Sequence, residues 1–189
     1  MADSIKIEVH VALIHYPVYN KVGEVVTSSV TTLDIHDISR VAKTYAVSSF
    51  FVVTPLKKQR ELVERLIEHW MTGCGAEYNP TRKEALLETR VKNNIAETVR
   101  ALTEQYGKKP VVVATCAKKI SKSVDFQYLR KEIRKGDPIL LLFGTGWGLE
   151  KMILKDADYI LDSVEGVGDY NHLPVRAAIA IILDRLIAR

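Results

Sequence analysis

The sequence has few cysteines and no long apolar run, and each absence excludes a class of protein. Two cysteines among 189 residues, Cys74 and Cys116, are too few for a disulfide framework or a four-ligand zinc site, and they suit a reducing compartment. No stretch approaches the roughly 18 uncharged apolar residues that cross a bilayer. The N-terminus carries spaced charges and lacks the apolar core of a signal peptide. The sequence therefore predicts a cytoplasmic protein with no membrane span and no metal site.

Disorder and low complexity are also excluded. Hydrophobic residues make up 47% of the chain and charged residues 26%, which is usual for a globular protein. The length predicts one domain, residues 1–189, and no Pro/Gly/Ser-rich linker divides it.

The net charge of +4 is too small to indicate nucleic acid binding, but its distribution is uneven. Residues 108–135 carry nine basic and two acidic residues, net +7, whereas residues 1–107 are neutral and residues 136–189 are net −3. A basic stretch of this kind is either an electrostatic footprint for a polyanion or a solvated helix face.

Short apolar runs alternate with segments of helical periodicity, which predicts an α/β fold with a mostly parallel sheet flanked by helices. Buried strands are predicted over residues 6–16, 49–54, 111–115, 139–143 and 159–161. Helices are predicted over residues 35–46 (with Asp34 as its cap), 57–72, 82–91, 93–106, 125–135, 149–155 and 175–188. The connecting loops include residues 18–33, 76–82, 116–124 and 162–174.

Two loops follow late strands, at the edge where open parallel sheets bind ligands. The first, residues 144–148 (GTGWG), has three glycines that permit positive φ and close approach to the backbone. It lacks the pattern of a Walker loop and the spacing of a dinucleotide fingerprint. The second, residues 162–174, holds glycines, acidic groups, Asn171 and His172, and its Pro174 suits a helix entry. Each loop either contacts a ligand or only makes a turn or a cap.

The sequence LLFGTGWGL, a strand, and a loop ending in NHLPVRAAIAIILDRL are together similar to the C-terminal half of the SPOUT (SpoU–TrmD) superfamily. Its members are S-adenosylmethionine-dependent RNA methyltransferases, and the small stand-alone bacterial ones look closest. Residues 33–47 also resemble the first motif of the SpoU branch. There an Asn and an Arg lie six residues apart, as Asp34 and Arg40 do here, and Val41-Ala42 and Tyr45-Ala46-Val47 follow suitably.

The chain departs from the SpoU pattern at three places. No glutamate stands between Gly144 and Gly146, Asp34 replaces the usual Asn, and His172 and Pro174 stand where Asn and Ser are usual. These departures weaken the case for a ribose 2′-hydroxyl as acceptor, whereas cofactor binding in the superfamily depends largely on backbone groups of the knotted loops.

The resemblance implies a trefoil-knotted α/β fold, with the knot and cofactor loops in about 110–189. It implies S-adenosylmethionine as cofactor, tRNA or rRNA as substrate, and a homodimer packed through the final helix. The cofactor contacts implied are Thr115, Gly144, Gly146, Trp147, Gly148, Leu161, Val164, Gly166, Asn171, His172, Leu173 and Val175. The candidate RNA contacts, chosen as cations that bind phosphate, are Arg40, Lys118, Lys119, Lys122, Arg130 and Lys131. The catalytic candidates are Arg40, Asn20 in the polar loop after the first strand, and Asp169 as a possible base.

Two other interpretations stay open at this point. One is a non-catalytic RNA-binding protein of the same fold. The other is a flavodoxin-like nucleotide-binding protein that uses residues 144–148 for phosphate. Cofactor titration separates the second alternative from a methyltransferase, and methyl transfer to RNA separates the first.

Overall fold

The computed structural model describes residues 7–188, so Lys6, where the first strand was predicted to begin, lies outside the described residues. The strands are β1 (Val9–Ile14), β2 (Val18–Tyr19), β3 (Val25–Val26), β4 (Ser49–Val53), β5 (Thr89–Lys92), β6 (Val111–Thr115), β7 (Ile139–Gly144) and β8 (Tyr159–Leu161). The helices are α1 (Thr32–Thr44), α2 (Lys57–Met71), α3 (Cys74–Tyr78), α4 (Pro80–Leu86), α5 (Ile95–Tyr106), α6 (Phe126–Ile133), α7 (Lys151–Asp156) and α8 (Val175–Ile187).

Six strands form one sheet in the order β5-β4-β1-β7-β6-β8, and every pairing in it is parallel. Strands β2 and β3 form a separate antiparallel hairpin. The predicted parallel α/β fold and its five predicted strands are confirmed. Because all six strands run in one direction, their carboxyl ends lie along a single edge of the sheet.

Helices cover both faces of the sheet, which explains why its central strands are apolar without alternation. All six residues of β1 are buried. One face packs against α1, α2, α6 and α8, and the other against α5 and α7. Within residues 7–188, no helix is long and apolar enough to span a bilayer.

His10 lies in β1 within the core, fully buried. Its ring packs edge-on against Tyr106, with the centroids 5.4 Å apart, and neither ring nitrogen has a hydrogen-bond partner among the described residues. Burial lowers the pKa of His10 to about 4, and the nearby Glu8 only partly opposes that shift. His10 is therefore a neutral core residue at physiological pH.

The prediction of a loop over residues 76–82 is wrong, because α3 and α4 occupy most of it. Asn79 caps α4, and its side-chain oxygen accepts from the Arg82 backbone N–H at 3.0 Å. Pro80 is the first residue of α4, a position where its missing N–H costs nothing. The Asn-Pro pair thus begins a helix here.

The predicted helix over residues 82–91 is also wrong in its second half. The helix α4 ends at Leu86, and Thr89–Lys92 form β5 at the edge of the sheet. An edge strand pairs on one side only, and here only Thr89 is buried. The alternation of charged Arg90 and Lys92 with Thr89 and Val91 therefore reflects an edge strand.

The helix α1 begins earlier than predicted, and Thr31 caps it in place of Asp34. The Thr31 hydroxyl accepts from the Asp34 backbone N–H at 3.1 Å and donates to the Asp34 carboxylate at 2.6 Å. Asp34 is thus an acidic residue of the first turn that bonds to the capping side chain.

The segment that follows β6 returns alongside β8. The Val124 N–H donates to the Ile160 carbonyl at 2.8 Å, and the Asp162 N–H donates to the Val124 carbonyl at 2.9 Å. Val124 thereby forms a parallel bridge with Leu161 on the side of β8 away from β6.

Candidate functional site

The loops after β6, β7 and β8 emerge side by side, because these strands are neighbours in the sheet. Thr115, Gly144 and Leu161 are their last residues. The Thr115 hydroxyl donates to the Leu142 carbonyl oxygen at 2.9 Å and so links the ends of β6 and β7. The structure therefore brings together the three strand ends from which the predicted cofactor loops extend.

Side chains join the loop after β8 to the loop after β6. The Asn171 amide donates to the Ala117 carbonyl oxygen at 3.1 Å. The Ser123 hydroxyl donates to the Asp162 carboxylate. Asn171 thus holds two loops together and does not cap α8, whose cap position is Pro174.

A cavity of about 200 Å³ lies between these two loops. Its lining residues are Ala117, Lys119, Ser163, Glu165, Gly166, Gly168 and Asn171. The Glu165 carboxylate accepts from the Ser163 hydroxyl at 3.3 Å and lies 3.9 Å from the Lys119 ammonium. The cavity therefore offers a carboxylate, an ammonium and a hydroxyl close together.

These groups fit the chemistry of S-adenosylmethionine. A carboxylate such as Glu165 can accept from ribose hydroxyls or an ammonium, and Lys119 can pair with a carboxylate. The cavity is smaller than the roughly 300 Å³ at which small-molecule pockets usually begin. Binding of a molecule of that size therefore requires the exposed residues 165–170 to shift, or a second chain to complete the pocket.

The glycine turn after β7 packs against the β2–β3 hairpin. A Cβ at Gly144 would lie 2.6 Å from the Leu149 backbone nitrogen, and one at Gly146 would lie 2.8 Å from the Tyr19 carbonyl oxygen. Gly146 and Gly148 also have positive φ, +58° and +101°. Contacts within the chain thus account for Gly144 and Gly146, and positive φ accounts for Gly148, so the turn is tight whether or not it also touches a ligand.

Backbone N–H groups of this turn already have protein acceptors. The N–H groups of residues 145, 147 and 148 donate to the carbonyl oxygens of Ile14, Tyr19 and Thr145, at 3.2, 2.9 and 3.0 Å. A phosphate-binding turn needs such groups free to face the anion. This arrangement disfavours the flavodoxin-like interpretation. Trp147 between them is 62% exposed, so it is not a core residue.

The remaining predicted cofactor residues differ in how far they are buried. Leu161 is buried, and Val164 and Val175 pack half-buried against the main core. His172 and Leu173 are exposed, and the His172 ring packs edge-on against Tyr170 at 5.3 Å. The cofactor contacts of all five residues stay predictions.

The catalytic candidates lie in different places. The Asn20 side-chain oxygen accepts from the N–H groups of Val22 and Glu24 at 3.0 and 2.9 Å, and its amide donates to the Glu24 carboxylate. Asn20 therefore shapes the turn of the β2–β3 hairpin. Asp169 is exposed in the loop after β8. Their catalytic roles stay predictions.

Arg40 is exposed on α1 and faces α4. It pairs with neither Asp34 nor Asp37, since both carboxylates pair with Arg176 instead. The Arg176 guanidinium lies 3.3 Å from the Asp34 carboxylate and 2.7 Å from that of Asp37. The first motif is thus joined to the first turn of α8, directly after the loop that lines the cavity.

The predicted RNA-contacting residues of the basic stretch are all exposed: Lys118, Lys119, Lys122, Arg130 and Lys131. Lys119 faces Glu165, and the Arg130 guanidinium donates to the Arg185 carbonyl oxygen. This exposure makes the stretch available to phosphate groups.

A buried polar network at the end of β1 was not predicted. His15 Nδ1 lies 3.0 Å from the Ser28 hydroxyl, which also bonds to the Thr145 hydroxyl. Thr145 in turn donates to the Ile14 carbonyl at 3.0 Å. Burial lowers the pKa of His15 to about 4, against the opposing effects of Asp34 and Ser28. A neutral histidine thus ties the glycine turn to the end of β1.

Sequence reasoning also missed three lining residues of the cavity: Ala117, Ser163 and Gly168. Ala117 belongs to the loop after β6, and the other two belong to the loop after β8. The signal that would have found them is position, since each follows a buried parallel strand within a few residues.

Comparison with known proteins assigns the chain to a family. A family model described as SAM-dependent RNA methyltransferase matches residues 8–188. An uncharacterised protein from Aquifex aeolicus is 40% identical over 96% of this chain and 89% of its own length. A tRNA (guanine-N(1)-)-methyltransferase from Oleidesulfovibrio alaskensis is 40% identical over 93% of this chain. The chain spans only 41% of that protein, less than half of its length.

Solved structures give the same fold. The SpoU methyltransferase AviRb from Streptomyces viridochromogenes, in complex with AdoMet, has a TM-score of 0.59 at 16% identity, covering 94% of this chain and 56% of that one. A TrmH/SpoU tRNA modifying enzyme from A. aeolicus has a TM-score of 0.56, covering 96% and 74%. The predicted SPOUT fold is confirmed, and the chain belongs to the family of S-adenosylmethionine-dependent RNA methyltransferases.

Proposed function

We propose that the loops after β6, β7 and β8 hold S-adenosylmethionine and that the methyl acceptor is a nucleotide of tRNA or rRNA. The cavity between Ala117 and Asn171, at the carboxyl edge of the sheet, is the observation that carries this assignment. S-adenosylmethionine supplies an electrophilic methyl group on a cationic sulfur. The chain has to bind the cofactor, exclude water and hold an acceptor in line, and such positioning provides most of the rate.

Each part of the site has a distinct role in this proposal. The apolar residues Leu161, Val164 and Val175 line the slot for the adenine. Ser163, Glu165 and Lys119 meet the polar groups of the ribose and methionine parts. Asn171 holds the two loops at the spacing that the cofactor needs, because its amide bonds across them.

A base is needed if the acceptor atom carries a proton. Asp169 is the candidate for this role, since it is an exposed carboxylate in the loop that lines the cavity. Asn20 is the weaker candidate, because its side chain is already used in the hairpin turn.

The nature of the acceptor rests on relatives and on charge. Related proteins carry the names of tRNA and rRNA methyltransferases. This chain covers 41% of the length of the tRNA methyltransferase and 55% of the rRNA methyltransferase chain. The exposed cations of the basic stretch, Lys118, Lys119, Lys122, Arg130 and Lys131, suit RNA phosphates.

The remaining expectations belong to the same proposal. Residues 1–189 form one cytoplasmic methyltransferase domain with a trefoil knot in about 110–189, and two copies form a homodimer through α8. The return of Val124 alongside β8 and the bond from Asn171 to Ala117 support the knot, because they bring the segments after β6 and β8 into contact, as a knot in this region requires. The partly exposed alanines of α8 support the dimer.

Calorimetric titration with S-adenosylmethionine tests the site, with ATP, NAD and FMN as control ligands. We expect micromolar binding, about tenfold weaker in Asn171→Ala because the loops lose their cross-link, and unchanged in the matched amide control Gln105→Ala on exposed α5 surface. Transfer of a labelled methyl group to tRNA or rRNA then tests catalysis.

Three outcomes contradict the proposal. The first is the absence of binding at millimolar S-adenosylmethionine, with and without RNA. The second is binding that Asn171→Ala leaves unchanged, which would place the cofactor elsewhere. The third is cofactor binding without methyl transfer to any RNA, which would favour a non-catalytic RNA-binding protein.

A further inference from the structure

A second cavity, larger than the first, lies between α1 and α4. This α1–α4 groove encloses about 350 Å³ and is lined chiefly by Arg40, Lys43, Thr44, Asn79, Thr81 and Arg82. None of its lining residues belongs to the loops after β6, β7 or β8. It is thus a separate surface from the proposed cofactor site.

Cations outnumber carboxylates in the α1–α4 groove. Glu84 is the carboxylate of the lining, and its oxygen lies 3.1 Å from the Lys43 ammonium. Within the described residues, neither Arg40 nor Arg82 has a carboxylate within salt-bridge distance. The groove therefore keeps two guanidinium groups free for an anion.

Arg40 and Arg82 both affect the pKa of the same neighbouring side chain, His36. Burial lowers the pKa of His36, and the positive charges of Arg82 and Arg40 lower it further, while Asp37 opposes them. The His36 ring packs edge-on against Trp70, the same side chain that the Arg82 guanidinium contacts.

Arg82 is held in place by its surroundings. Its guanidinium carbon lies 4.5 Å from the Trp70 ring centroid, and its backbone N–H donates to the Asn79 side chain at 3.0 Å. The Thr81 hydroxyl donates to the same Asn79 oxygen at 2.8 Å. A stacked guanidinium loses little freedom when it binds a phosphate, whose geometry matches its planar array of donors.

The lining residues also indicate which kinds of ligand the groove does not suit. Apart from Ala85, every lining residue is polar or charged, and most are exposed. A nucleobase or another flat apolar group has no slot there. The groove suits a phosphate group with nothing apolar to bury, as in a nucleic acid backbone.

We propose that the α1–α4 groove binds one phosphate group of the acceptor RNA's backbone and so positions the RNA on α1 and α4, apart from the cofactor loops. This inference rests on the proposed function, because it takes the acceptor to be RNA. It gives Arg40 a phosphate-binding role shared with Lys43 and Arg82. Such a contact fixes the register of the RNA without reading its sequence.

The test measures binding of unfractionated bacterial tRNA at several salt concentrations. The variant is Lys43→Gln with Arg82→Gln, and the control is Lys58→Gln with Arg100→Gln, an exposed pair outside the basic stretch with the same charge change. Loss of one phosphate contact lowers affinity about five- to eightfold at about 0.1 M salt and reduces the salt slope by roughly 0.7–0.9. We expect that loss in the groove variant, less than a twofold change in the control, and unchanged binding of S-adenosylmethionine in both.

Two further measurements make the outcome decisive. Lys43→Gln alone removes an exposed cation whose ion pair with Glu84 lies at the surface, so its smaller loss of affinity guards against misfolding of the double variant. Titration with inorganic phosphate alone distinguishes RNA from a small free anion. Tight binding of inorganic phosphate combined with normal tRNA affinity in the variant would overturn the proposal in favour of a free anion.

The failure of this inference is distinguishable from failure of the proposed function. If the unsubstituted protein binds tRNA and the groove variant binds it equally well, the groove is not an RNA contact, and the methyltransferase assignment stands. If the unsubstituted protein binds neither tRNA nor S-adenosylmethionine, both proposals are wrong.

Discussion

At the scale of single residues, two buried histidines make the stability of the protein depend on pH. His10 and His15 have their pKa values lowered to about 4, from an ordinary 6.5, chiefly by burial. The unfolded chain therefore takes up protons at these residues before the folded chain does. Stability is full above about pH 7 and is lost as the pH falls towards 4, by about 2 kcal/mol for each histidine between pH 7 and 5.

We expect His10→Phe to remove about half of this pH dependence, because Phe fits between the neighbouring aromatic rings and does not titrate. Urea unfolding at pH 7 and pH 5 measures the difference in free energy between the two conditions. The control is His172→Gln, which changes an exposed histidine and leaves the dependence intact. An equal loss of stability on acidification in His10→Phe and the unsubstituted protein would mean that His10 titrates normally.

Other residues show where sequence reasoning reached its limit. Asn171 was singled out as either a cofactor contact or a helix cap, whereas its side chain bonds to Ala117, 54 residues away. The polar role of His15 depends likewise on Ser28 and Thr145, which come from separate segments. Contacts of this kind have no local pattern, so the sequence alone did not predict them.

At the scale of elements, the glycine turn and the β2–β3 hairpin behave as one packed unit. Since a Cβ at Gly144 would collide with the Leu149 and Gly148 backbones, we expect Gly144→Ala to lower the free energy of unfolding by about 1–3 kcal/mol. Gly168→Ala is the matched control, because a Cβ there meets nothing within 4 Å. Thermal unfolding of the two variants measures the contrast, and equal stability would show that the turn yields easily.

The degree of burial on each face explains which strands could be predicted from the sequence. The strands of the central sheet were clear because both of their faces are buried, which leaves long apolar runs. The edge strand β5 was misassigned because packing on one side leaves Arg90 exposed and Lys92 only half-buried, and four residues are too few to show a period. The helix α4 begins at Pro80, earlier than the predicted residue 82, because Asn79-Pro80 suits a turn as well as a helix start.

At the scale of the whole molecule, the proposed homodimer has a direct test. We expect sedimentation to give about twice the 21.3 kDa of one chain. Ile181→Glu, on the partly exposed surface of α8, should shift the protein to the monomer, because it places a charge in the proposed interface. Leu62→Glu changes an exposed leucine on α2 and should leave the dimer intact. A monomeric unsubstituted protein would contradict the dimer.

The bridge between Val124 and β8 also bears on how copies of the chain avoid aggregation. A free sheet edge presents unpaired N–H and C=O groups that can recruit a strand from another molecule. Here the Ile160 carbonyl and the Asp162 N–H are already bonded to Val124, and the opposite edge is the short, charged β5. A second copy would have to displace Val124 to extend the sheet at β8. Association through helices, as the dimer proposal requires, is therefore the route that this sheet leaves open.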